Sequence, residues 1–144
     1  MNQISRSELA RFLDSILDLA AWPDDPSNNG LQFAGGDAVT RAVFAVDASA
    51  ELFRIAAERG AQFIFVHHGI SWGSGIRRID GILAERVTLL ARNGISLYAA
   101  HLPLDAHMMM FAMAIEDEFG ISFDEPVNFV TVQDVVNFIE ANQK

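Results

Sequence analysis

Phe63-Ile64-Phe65-Val66-His67-His68-Gly69-Ile70-Ser71-Trp72 opens with four consecutive apolar residues and then sets two adjacent imidazoles among small residues. A short, unbroken apolar run reads as a strand buried on both faces, the habit of parallel sheets. Ile95 to Ala100 leads in the same way to His101, and Arg41 to Val46 leads to Asp47. Helical patterns separate these runs. Ser49 caps one through Leu52, Phe53, Ile55, Ala56 and Ala57, with Gly60 as its exit; Asp80 caps another with Ile82, Leu83, Val87, Leu90 and Ala91 inward, stopping at Gly94. Strand alternating with helix predicts an α/β fold, a mainly parallel sheet with helices on both faces. The C-terminal ends of parallel strands share one edge, where ligands bind. Asp47, His67-His68 and the segment from His101 to Asp105 are therefore expected to converge.

Before these runs, Ser5 and Glu8 fit a capping box for a helix whose Leu9, Phe12, Leu13, Ile16 and Leu17 form one buried face, ending before Pro23. Pro23 to Asn29 is turn-forming throughout, and Asn29-Gly30 reads most simply as a tight turn. After the third run a helix is expected over 106–119, a strand over 121–129 interrupted by Pro126, and a last helix from Thr131. No repeat or linker breaks the chain, so one domain over 1–144 is expected.

Composition narrows the chemistry. With 51% apolar residues the 144-residue chain can bury a core. The absence of cysteine removes disulfides, thiolate nucleophiles and sulfur-ligated metals, leaving nitrogen and oxygen donors for zinc, iron, manganese, nickel or cobalt. A formal charge of −9, with Arg77-Arg78 the densest basic pair, argues against a nucleic-acid or anionic-membrane surface. No apolar run approaches the ~20 residues of a membrane span. The N-terminus lacks the layout of a secretory signal, so a cytoplasmic location is expected.

All four histidines fall between positions 67 and 107. Adjacent histidines on a strand point to opposite faces, whereas in the loop after it both can turn to one cavity. A lone pair is a weak sign; His101-Leu102-Pro103-Leu104-Asp105-Ala106-His107 behind a second strand makes imidazole and carboxylate ligation of a catalytic metal the better reading. Pro103 stiffens that loop and fixes the spacing from His101 to Asp105. His101 is either a ligand, a group that orients one, or a proton shuttle. His107 reads as a capping or surface residue, Trp72 as a pocket wall or core aromatic, and Met108-Met109-Met110 as helix core or an oligomer contact. A serine triad through Ser71 or Ser74 lacks the Gly-x-Ser-x-Gly elbow, and Gly73-Ser74-Gly75 lacks the lysine of a phosphate loop.

Asn29-Gly30-Leu31-Gln32, Val46-Asp47-Ala48-Ser49, His67 through Trp72 and His101 through His107 occur in that order. This series resembles the Nif-three-like family of dinuclear-metal proteins, also known as GTP cyclohydrolase type-two homologues. The resemblance implies an α/β fold, a hexameric toroid, and metal ligands at His67, His68 and Asp105, with Asp105 and His68 on one ion and His67 on the other. It also implies a histidine and, four residues on, a glutamate near the end of a longer chain. No histidine follows His107, so neither position transfers, and Met108-Met109-Met110-Phe111 replaces the family's asparagine-containing segment. Three inherited ligands suit one divalent ion per chain better than two, completed by His101, a glutamate or water. Two functions follow as expectations: a metal-dependent hydrolase of a nucleotide or related small molecule, or a non-catalytic metal-binding assembly module.

Overall fold

Ser5 starts the first helix as its spacing requires. Its hydroxyl accepts from the Glu8 amide at 3.1 Å while the Glu8 carboxylate accepts from the Ser5 amide at 3.1 Å, closing a capping box. The computed structural model describes residues 3–108. In order, these form β1 (Ile4–Ser5), α1 (Arg6–Ile16), a 3₁₀ turn (Leu19–Ala21), β2 (Gly30–Phe33), β3 (Ala38–Val39), β4 (Ala42–Asp47), α2 (Ala50–Glu58), β5 (Phe63–His68), α3 (Gly81–Asn93) and β6 (Ser96–Ala99). The chain divides into two units, Met1–Leu104 and Asp105–Lys144. Of the second, residues 105–108 are described, and they continue a helical segment spanning 102–108.

The main sheet has the order β2-β6-β5-β4. β4, β5 and β6 run parallel, in the register Phe44↔Phe65↔Tyr98, and β2 adds to the β6 edge antiparallel, Gly30 opposite Ala99. β1 and β3 make a separate two-residue ladder. The mainly parallel α/β sheet is thus as expected; the antiparallel edge strand is an addition. β5 and β6 are covered on both faces, because their alternate residues feed different cores, while Phe44 and Val46 leave one face of β4 exposed. Ile64, Val66, Leu97 and Ala99 meet Phe53 and Ala56 of α2 and Leu90 of α3. Phe63, Phe65, Tyr98 and Ala100 meet Leu9, Ala10, Leu13 and Leu17 of the α1 segment. At the edge of this second face the Tyr98 hydroxyl donates to Asp14 Oδ1 at 2.8 Å, tying helix to sheet.

Several boundaries differ from those expected. Phe12 and Ile16 are exposed, since at 3.6 residues per turn they fall on the opposite flank from Ala10 and leave Leu9, Leu13 and Leu17 as the inward stripe. Ile82 is also exposed, and Ala91 with it, so Leu90 is the deepest residue of α3. Asp80 occupies the N-cap of α3 without a side-chain bond, whereas Ser49 Oγ accepts from the Leu52 amide at 3.0 Å as a cap should. Gly60 and Gly94 both adopt positive φ, 66° and 61°, at their helix exits. The helix expected over 106–119 begins instead at 102, which places Pro103 in a first turn, where its missing N–H costs nothing, rather than in a loop. The rest of that helix, the strand over 121–129 and the helix from Thr131 lie outside the described residues, as does the end of the single domain expected over 1–144.

Candidate metal centre

The parallel strands end at one rim, and so do their imidazoles. β5 extends two residues further than expected, taking in both His67 and His68, while its ladder with β6 stops at Val66↔Ala99. The last two residues of β5 are therefore held by the sheet only on the β4 side, where Asp47 pairs with His68. The two rings lie together even though they belong to a strand and not to a loop: their centroids are 4.3 Å apart. His101 joins them, 4.8 Å from His67 and 5.7 Å from His68. One ring nitrogen from each of the three lies within 4.8 Å of the others.

Each ring is tied through the same atom. His67 Nδ1 faces the Ala100 carbonyl at 3.2 Å, His68 Nδ1 the Asp47 carboxylate at 2.8 Å, and His101 Nδ1 the Asp25 carboxylate at 2.9 Å. A carbonyl and a carboxylate both accept, so each of these contacts suits an imidazole that donates from Nδ1 and keeps its lone pair on Nε2. Three imidazoles whose ring nitrogens lie together, two of them backed by carboxylates, form a donor set that fits a divalent transition metal.

The turn before β2 builds the rest of the rim. Asp25 is 2% exposed at its side chain, and burial pushes its carboxyl up. Hydrogen bonds from Asn29, Ser27, His101 and Leu102 outweigh that and hold it down at about 2, so it stays ionised. Asn29 donates to Asp25 Oδ2 at 2.7 Å and accepts the His101 amide at 2.9 Å, which is more than the tight turn its sequence suggested. Gln32 clamps the loop after the histidine pair. Its Oε1 accepts from the amides of Ile70 and Ser71 at 2.7 and 3.1 Å, and its Nε2 donates to the Asn28 and Ser71 carbonyls. Gly69 is required at that approach, because a Cβ there would stand 2.1 Å from Gln32 Oε1. Trp72 walls the cluster, its ring edge-on to His101 at 5.2 Å and its indole N–H donating to the Gly69 carbonyl at 3.0 Å.

Of the residues singled out from the sequence, His67, His68 and His101 come together, with Asp47 and Trp72 against them. Asp105 and His107 belong to the second unit, within the helical segment 102–108. Sequence patterns did not single out Asp25, Asn29 or Gln32 as site residues. Asp25 with Ser27 has the pattern of an Asx turn, and the bond from the Ser27 amide at 2.8 Å is that turn. Nothing local signals that the same carboxylate takes a histidine 76 positions away.

The profile of the family described as Duf34/NIF3 (NGG1p interacting factor 3) matches residues 4–137. A protein of Archaeoglobus fulgidus named GTP cyclohydrolase 1 type 2 homolog is 52% identical over 101 residues, covering 70% of this chain and 40% of its own length. A protein of the same name from Deinococcus radiodurans is 46% identical over 105 residues, covering 73% and 39%. The crystal structure of TTHA1606 from Thermus thermophilus superposes with a TM-score of 0.74 at 37% identity, covering 97% of this chain and 63% of that one. The chain thus spans about two fifths of the length of these curated relatives.

Proposed function

Because this chain belongs to the Duf34/NIF3 family, we propose that it binds a divalent transition metal through His67 and His68, with Asp105 as the carboxylate donor, and serves as a metal-dependent hydrolase of a small molecule. The observation that carries this reading is the cluster of three imidazoles, each with a partner at Nδ1 and each bringing a ring nitrogen within 4.8 Å of the others. Asp105 enters from the resemblance alone. Bound at such a site, a divalent ion supplies Lewis acidity to water and to a substrate oxygen. The chain's own residues orient the donors: Asp47 steadies His68, and the Ala100 carbonyl steadies His67. Gln32 fixes the backbone behind them. Trp72, 38% exposed, offers an aromatic wall suited to a base or other planar group, which favours a nucleotide or related cyclic or phosphorylated substrate. The names of the relatives point to the same class.

A second reading uses the same three imidazoles: a set of nitrogen donors can hold an ion for structure alone. On it the protein binds metal without turnover, as an assembly module. We place either form in the cytoplasm as a homo-oligomer, hexameric by resemblance. Metal analysis of the purified wild type beside the His68→Ala/Asp105→Ala double variant tests the site. The expected outcome is close to one equivalent of zinc, iron, manganese, nickel or cobalt in the wild type and strongly reduced metal in the variant. Equal metal in both would remove these residues as ligands. A metal-loaded wild type that hydrolyses nothing in a panel of nucleotides and phosphoesters would decide for the module.

A further inference from the structure

The three imidazoles are not held equally. Asp47, the partner of His68, is 72% exposed at its side chain and open to water. His67 leans on a backbone carbonyl. His101 rests on Asp25, a buried carboxylate whose four acceptor positions are all filled: Ser27 amide and His101 Nδ1 on Oδ1, Asn29 Nδ2 and Leu102 amide on Oδ2. Asn29 closes the arrangement by accepting the His101 amide. The backbone and the ring of His101 are both fixed to one five-residue turn. That turn stands at the rim because β2 runs antiparallel to β6, so β2 begins where β6 ends.

A purely architectural role accounts for only part of this. The Ser27 bond makes an Asx turn, and the Leu102 bond satisfies one of the free amides at the start of the 102–108 helix. Neither requires Asp25 to meet an imidazole nitrogen. We propose that Asp25, braced by Asn29, is a positioning residue that holds His101 as an Nδ1–H imidazole and so makes its Nε2 a third donor to a divalent cation beside His67 and His68. The last step rests on the metal-binding reading above; the hold on the tautomer does not.

Two measurements on the full chain test it. In the metal-free, ¹⁵N-labelled wild type, long-range ¹H–¹⁵N spectra are expected to show His101 with a protonated Nδ1 and an unprotonated Nε2. A protonated Nε2 at His101 overturns the proposal, and this measurement needs no variant to fold. In Co²⁺ titrations followed by the visible absorption of the ion, Asp25→Asn is expected to weaken binding about 10- to 100-fold, as loss of the partner of a ligating histidine does. Introduced into His101→Ala, the same substitution should cost less than about twofold more, because Asp25 acts through His101. Unchanged Co²⁺ affinity in Asp25→Asn, or an equal loss with and without His101, overturns the positioning role. A wild type that takes up no Co²⁺ overturns the metal-binding reading and the last step with it, while the tautomer of His101 still judges the Asp25 contact.

Discussion

Tyr98 shows what a single buried polar group does to this protein's pH response. Its ring is fully buried, and its hydroxyl donates to Asp14. Burial pushes the phenol well above its ordinary value of 10.0, and the Asp14 hydrogen bond and charge push it further. A raised phenol value means the folded state keeps a proton that the unfolded chain gives up above pH ~10. Stability is therefore whole below that pH and falls as pH rises beyond it. Urea denaturation from pH 8 to 11 is expected to show this fall in the wild type. In Tyr98→Phe it should be much shallower, after a loss of about 1 kcal/mol at neutral pH for the missing hydrogen bond. The contrast with Asp25 is instructive: both side chains are buried, yet four donors hold one ionised while burial, with a single acceptor, keeps the other neutral.

Among the elements, legibility followed apolar run length. β4, β5 and β6 were plain because each is a short apolar block ending at a polar residue, and Gly60 and Gly94 marked where the intervening helices stop. β2 was not, because Gly30-Leu31-Gln32-Phe33 carries no pattern of its own and is a strand only through its pairing with β6. The same gap hid half of the site. The imidazoles follow apolar runs and could be found, while Asp25 and Asn29 sit in a turn whose partner is distant in sequence. β4 carries a further message. Among the described residues it is an edge strand of the main sheet, and Phe44 and Val46 are 71% and 60% exposed on the side where Phe44 meets Phe65. Such an edge invites association. Replacing both with threonine is expected to change stability by less than about 1 kcal/mol and to shift sedimentation toward smaller species. Unaltered sedimentation would remove the β4 face as a surface of self-association.

Taken as a whole, the molecule joins an acidic chain to a nitrogen-rich rim. A net charge of −9 raises the local concentration of cations, and the three imidazoles form a group that could hold one. Among the described residues no helix is long and apolar enough to cross a membrane. A metal that binds the folded chain and not the unfolded one must stabilise it by mass action, about 2.7 kcal/mol at a hundredfold excess over Kd. For a chain of this size, calorimetry with Zn²⁺ is expected to raise Tm by about 8 °C, reversibly on chelation. His67→Ala/His68→Ala should show no such rise. An equal rise in that variant would place the metal elsewhere.

The pairing of β2 with β6 has a consequence in time as well as in space. Among the described residues these neighbours are the earliest and the latest strands of the main sheet, and the bonds linking Asp25 and Asn29 to residues 101 and 102 span 72 to 77 positions. Contacts that close so long a loop form late in folding. A chain emerging during synthesis holds Asp25, Asn29 and the histidine pair of β5 before it holds the third imidazole. Among the described residues the rim is therefore completed late, together with the pairing of β2 and β6.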